Sequence, residues 1–217
     1  MKQYVKIFAF YLEHEQQTFS GEDCYDTLLE GLTVICRQRK LKGFPIHIIV
    51  EIDLKPEFTE IFIRRNVFKF CIKRGIRFTL RTVANQQEVV GDVEYYCLGN
   101  WLSLNREEIS AILQMPHTSF KRFKDEDIMP KYWRFTKNKE CVENVNQFIE
   151  TAIVGWTQKA KELNSLAKNR REFSTEIFIN LLGKDVIDFT FNQSMLFLLF
   201  KIRACLCIFI YDKDTSA

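Results

Sequence analysis

Glycine and proline are scarce in this chain, at 8 and 4 of 217 residues. So few breakers leave little room for long irregular stretches, and the sequence predicts regular elements joined by short loops. Histidine is scarcer still, limited to His14, His47 and His117. The seven cysteines (Cys24, Cys36, Cys71, Cys97, Cys141, Cys205, Cys207) form no C-x-x-C pair, and the one close pair, Cys205 and Cys207, lies inside an apolar run. A structural zinc site needs four converging ligands, commonly in short pairs, so no zinc is expected. An odd number of dispersed thiols, with no apolar leader before them, points to reduced cysteines in a cytoplasmic or nuclear setting.

The nucleotide signatures are missing too. A P-loop requires G-x-x-x-x-G-K-[ST] and a dinucleotide fold requires G-x-G-x-x-G after the first strand. Residues 13–22 carry a single glycine, Gly21, so neither cradle can form there. No G-x-S-x-G elbow occurs, which removes the usual serine-hydrolase turn. No charge of one sign dominates: 31 basic against 28 acidic residues give +3, too near neutral to imply a polyanionic partner by itself. The longest apolar run, 195–211, is short for a membrane span and holds Lys201 and Arg203 near its middle. A span needs roughly 20 apolar residues, and a central cation costs about 2.5–3.5 kcal/mol, so a buried helix or strand is expected and no membrane partner.

What the chain does have is apolar bulk: 47% hydrophobic residues, 20 of the chain's residues being phenylalanine, enough for a packed core. Residues 4–12 are aromatic and β-branched and read as a strand. Ser20 can cap a helix that runs through Cys24, Leu28, Leu32 and Ile35 to Arg37, Arg39 and Lys40. Ile46–Leu54 reads as a buried strand, and Pro56 opens a helix through Phe58, Ile61, Phe62, Phe68 and Ile72 that stops at Gly75. Ile76–Val83 alternates with period two, and Val93–Leu98 adds a fourth strand. Asn105–Met115 is a short helix, residues 116–139 a charged surface loop or linker, and Glu140–Asn169 one long amphipathic helix. Ser174–Leu182 reads as a further helix. The predicted fold is therefore α/β: strand–helix alternation with a mostly parallel sheet, then a mainly helical C-terminal half. The predicted division is an α/β unit over 1–115 and a helical unit over 140–217, both small enough to share one core.

Two constellations could carry function. The first is acidic. Glu51 and Asp53 sit at the C-terminal end of the second strand, where sites form in open parallel sheets. Glu22 and Asp23, with Asp26, lie in the expected first helix. Converging carboxylates could hold Mg²⁺ for phosphodiester cleavage. An acidic helix before an Ile-Val-Glu-Ile-Asp strand resembles the order of elements in the ribonuclease H-like fold over residues 1–100. The resemblance implies a divalent-metal nuclease with Asp53 at its centre, aided by Glu51 and Glu22 or Asp23. The bland alternative is a solvated strand end and acids that serve the helix dipole.

The second constellation is basic and aromatic. Residues 121–139 hold seven cations and three acids, a local +4 that exceeds the charge of the whole chain. Phe123, Tyr132, Trp133 and Phe135 alternate with these cations, as single-stranded nucleic acid requires. Lys121, Arg122, Lys131, Arg134 and Lys137 are the expected phosphate contacts, and Tyr132, Trp133 and Phe135 the stacking rings. Further basic clusters are Arg37 to Lys42, Arg64 to Arg74, and Lys168 to Arg171. The sequence thus favours a non-enzymatic regulatory or interaction protein, without cofactor, that binds RNA or single-stranded DNA. A nuclease and a protein adaptor using the 140–169 helix are the alternatives.

Overall fold

The architecture comes from a computed structural model, which describes residues 5–10, 16–21, 47–54, 57–84, 88–98, 106–118, 132–168 and 173–212. Their elements run β1 (Val5–Phe10), β2 (Gln16–Gly21), β3 (His47–Asp53), β4 (Phe58–Ile63), α1 (Arg65–Arg74), β5 (Arg77–Val83) and β6 (Val89–Leu98). Then follow α2 (Arg106–Leu113), β7 (Tyr132–Val142), α3 (Val145–Thr157), α4 (Ala160–Ala167), β8 (Ser174–Leu182), β9 (Asp188–Phe191), α5 (Gln193–Lys201) and β10 (Ala204–Tyr211).

The strands form two five-stranded sheets. Sheet A has the order β2-β1-β3-β5-β9, and sheet B the order β4-β10-β8-β6-β7. The expected mostly parallel sheet is overturned: six of the eight pairings are antiparallel, and only β3 with β5 and β8 with β10 run parallel. The reason is that the chain alternates between sheets. β4 leaves sheet A to pair with β10, and β9 leaves sheet B to pair with β5. Neighbours in sequence are therefore often not neighbours in a sheet, and helix-spaced strands do not imply parallel pairs.

Several local expectations change with it. Ser20 and Gly21 end strand β2 and do not cap a helix; residues 22–46 lie outside the described residues. Phe58–Ile63 is strand, with Thr59, Ile61 and Ile63 buried at period two, and the helix begins only at Arg65. Gly75, at φ 63°, ends α1: its N–H reaches the Ile72 carbonyl while that of Ile76 reaches Cys71. The last part of the expected 116–139 loop is strand β7, and 119–131 lie outside the described residues. The single helix over 140–169 is two, α3 capped by Asn144 onto Gln147 N–H, and α4 beginning after a turn at Gln158 and Lys159. Ser174–Leu182 is strand β8, with alternate residues buried along its whole length. The 195–211 run is half helix α5 and half strand β10. Among the described residues after 142, three helices are thus interspersed with three strands, in the order α3, α4, β8, β9, α5, β10.

Each sheet turns one face to the helices. From sheet A come Ile48, Val50, Ile52, Phe78, Leu80 and Phe191; from sheet B come Val93, Cys97, Ile177, Ile179, Leu206 and Ile208. α3 touches β6 and β8 of sheet B and β9 of sheet A, so the helix layer joins both sheets in one continuous core. Burying each such side chain contributes roughly 1.5–3 kcal/mol. Gly91 on β6 is needed for that packing, because a Cβ there would lie 2.7 Å from the Phe148 ring of α3.

Candidate functional site

β7 decides the fate of the basic-aromatic segment. Lys121, Arg122 and Lys131 lie outside the described residues, as does the side chain of Tyr132. Trp133 is fully buried. Its ring stacks on Trp156 at 6.2 Å and its Nε1–H donates to Ser110 Oγ at 2.9 Å. Phe135 points the same way and stacks on Tyr95 at 6.3 Å. A base could stack on Trp133 only if the ring left the core, so Trp133 is not a surface ring. Arg134 faces the other side and pairs with Glu94, while Lys137 pairs with Glu140 at 2.8 Å. Along β7, period two sets Arg134 on the face opposite Trp133 and Phe135, while Lys137 shares their parity but is paired with Glu140.

Of the acidic constellation the structure describes Glu51 and Asp53. Glu51 and Asp53 share one face of β3, and Glu51 stands opposite Arg81 of β5. Glu22 and Asp23 lie outside the described residues. Among the described residues no group of three or more His, Cys, Asp and Glu side chains could hold a metal ion. His47 is a satisfied polar residue: Nε2 meets Thr79 Oγ1 at 2.8 Å, which in turn meets Thr190 Oγ1 at 2.7 Å. Burial, then the charges of Arg77 and Arg81, hold it below the usual imidazole range. Cys97 is buried, and burial pushes its thiol well up, which makes it a poor nucleophile. The apolar stripe of residues 142–163 faces the core, with Ile149, Ile153, Trp156 and Leu163 all fully buried, so it presents nothing to a partner.

Cations do converge on α1 and α5. Residues 64–74 and 193–203 hold Arg64, Arg65, Lys69, Lys73, Arg74, Lys201 and Arg203, and no Asp or Glu. Gln193 Nε2 donates to the Ile76 carbonyl at 2.6 Å, and Arg65 Nε to the Phe200 carbonyl at 3.1 Å. The start of α5 therefore meets the end of α1 and the reverse, so the two helices lie antiparallel, side by side. Val67, Phe68 and Cys71 of α1 and Met195, Leu196 and Leu199 of α5 face inward. Asn66, Lys69 and Lys73 of α1, and Ser194, Phe197 and Lys201 of α5, are exposed. Phe197 is 52% exposed.

Two of the arginines here lie over aromatic rings. The Arg65 guanidinium lies over the Phe200 ring at 4.3 Å, and that of Arg74 over Phe70 at 4.0 Å. Burial, then the Arg203 guanidinium, push Arg65 down from its usual range, and no carboxylate is among the groups acting on it. Like charges gathered in this way are costly unless a partner neutralises them. In the sequence the 64–74 cluster is visible by itself, whereas Lys201 and Arg203 stand out only as charges inside an apolar run. The signal available was the shared absence of acids from both segments. No helix among the described residues is long and apolar enough to cross a membrane. No family model, no curated protein and no solved structure matches the chain, so a functional reading rests on the chemistry of these surfaces.

Proposed function

We propose that this chain is a non-enzymatic, regulatory binding protein for RNA or single-stranded DNA, and that the α1–α5 surface holds the strand. The carrying observation is that exposed Lys69, Lys73 and Lys201 lie on two packed helices whose sequences contain no Asp or Glu. Each phosphate neutralised releases condensed counterions, which favours binding without any sequence preference. Lys69, Lys73 and Lys201 take the phosphates, while exposed Phe197 offers a ring on which a base can stack.

The test is fluorescence anisotropy of labelled single-stranded RNA and DNA at several salt concentrations, in EDTA. Three phosphate contacts predict a slope of log K against log salt near roughly −2 for a single strand. Lys69→Glu with Lys73→Glu should weaken binding at least about tenfold and remove most of that slope. An unchanged slope in the double variant overturns this surface, and an absence of salt-sensitive binding overturns the nucleic-acid reading.

A further inference from the structure

On the side away from the helices, the other face of sheet B carries a run of rings across four strands. Tyr96 of β6 meets Phe178 of β8 edge-on at 4.9 Å, Phe178 stacks on Phe209 of β10 at 5.6 Å, and Phe209 on Phe58 of β4 at 5.8 Å. Tyr211 adds a fifth ring 5.0 Å from Phe58, and these two are 38% and 40% exposed. A cavity of about 540 Å³ on this face is lined by Phe178, Phe209 and Tyr211 together with Asp92, Glu94 and Asp212. Three inter-strand steps make the ring run about 14 Å long, too long for one small cation and close to four residues of extended polypeptide.

The carboxylates are held in fixed positions. Asn180 Nδ2 donates to Asp92 Oδ1 at 2.6 Å, the Tyr96 hydroxyl donates to Glu94 Oε2 at 2.6 Å, and Arg134 pairs with the other Glu94 oxygen. Lys139 stands on the cavity wall, Arg134 pairs with Glu94 and Lys184 with Asp212 at 2.5 Å, while Glu60, opposite Phe209, and Glu176, opposite Tyr96, add two carboxylates to the same face. Asp92, Glu60 and Glu176 thus leave the face with more carboxylates than its ion pairs neutralise. Burial, then Asp92, Glu60 and Glu94, raise the Tyr211 hydroxyl, and burial, then Glu176, Cys205 and Glu60, raise the Cys207 thiol. No cation is among the groups acting on either. A phosphate-bearing strand is repelled from such a face, whereas a guanidinium finds both its partners: ring faces for its plane and carboxylates for its N–H groups.

We propose that the outer face of sheet B is a docking site for an extended basic segment of a protein partner, with an arginine side chain seated on Phe178 and Phe209 against Asp92 and Glu94. This is independent of nucleic-acid binding and uses the opposite side of the sheet. The probe is an eight-residue Ser/Gly peptide bearing two arginines, titrated into ¹⁵N-labelled protein, with a citrulline version as the neutral isostere. Saturable shifts are expected at the amides of 90–94, 178–182 and 207–211. The citrulline peptide, and the Asp92→Asn variant, should each weaken binding at least about fivefold. The Lys69→Glu, Lys73→Glu variant should bind the peptide as the wild type does, which separates this site from the α1–α5 surface. No saturable shift at millimolar peptide, shifts elsewhere, or indifference to citrulline or to Asp92→Asn overturns the docking site. Broadening of the same amides with protein concentration alone also overturns it, since the occupant is then a second copy of the chain.

Discussion

The two faces of sheet B are built from alternate residues of the same strands, and their contents differ in kind. Inward, Trp133, Trp156, Tyr95 and Phe135 form a dry stack, with Tyr95 on Trp156 at 4.8 Å. Outward, Tyr96, Phe178 and Phe209 form a half-exposed run, threaded by Asp92, Glu94 and Arg134. Tyr95 and Tyr96 are consecutive, yet one donates its hydroxyl to the buried Ala152 carbonyl at 2.9 Å and the other to the Glu94 carboxylate. Composition alone treats these residues as equivalent. A strand divides a basic-aromatic segment by parity, so Trp133 and Phe135 turn inward while Arg134 between them turns out.

The comparison breaks most visibly at Trp133. If its ring is part of the inner stack, Trp133→Ala leaves a cavity and an unpaired Ser110 hydroxyl. The expected loss is about 3–5 kcal/mol, read from urea unfolding midpoints. A loss below about 1 kcal/mol would place the ring at the surface and restore it as a stacking residue.

Tyr95 sharpens the comparison through pH. Burial pushes its hydroxyl up to about 12, from an ordinary value of 10.0. The neutral form is the one the fold favours, so this stabilisation is complete below pH 10. Above it the unfolded chain releases the proton while the folded chain keeps it, and stability falls by roughly 2–3 kcal/mol as pH rises to about 12. Tyr95→Phe should cost about 1 kcal/mol at neutral pH through the lost hydrogen bond, but should flatten this alkaline decline. Parallel declines in the two proteins would show that Tyr95 is not the buried phenol that drives it.

The sequence reveals the fold where one face of a strand is polar. Ile76–Val83 alternates Phe78 and Leu80 with Arg77, Thr79 and Arg81, and β5 forms there. It misleads where the second face is apolar too. In β8, Phe178 and Leu182 occupy the outer face between buried Ile177, Ile179 and Leu181, so the period of two fades into an apolar run broken only by Asn180. Phe58 and Phe62 do the same in β4. The rings that hid these strands are largely the ones that furnish the outer face, so the misreading and the candidate docking surface share a cause. The topology was out of reach for another reason: pairing of β4 with β10 joins residues far apart in sequence, and no local pattern encodes it. The same non-local packing hid the union of Lys201 and Arg203 with the 64–74 cluster.

The outer face gives the smallest effect, and it tests how its charges are used. Glu94 and Arg134 are partly buried, with side chains 16% exposed on each partner. Glu94→Gln keeps an acceptor for the Tyr96 hydroxyl but removes the charge opposite Arg134. A pair of this exposure falls between a surface pair and a buried one, so the expected cost is about 1–2 kcal/mol in urea unfolding. High salt should narrow the gap between wild type and variant only slightly, because the pair is partly shielded from solvent ions. A cost near zero that is also insensitive to salt would mean Glu94 is held chiefly by Tyr96, and that Arg134 is not neutralised by it. Arg134 could then contribute positive charge to the outer face, which would weaken its preference for a basic segment. The size of this one substitution therefore decides whether Arg134 is cancelled by Glu94 or joins Lys139 as a cation that an incoming basic segment must face.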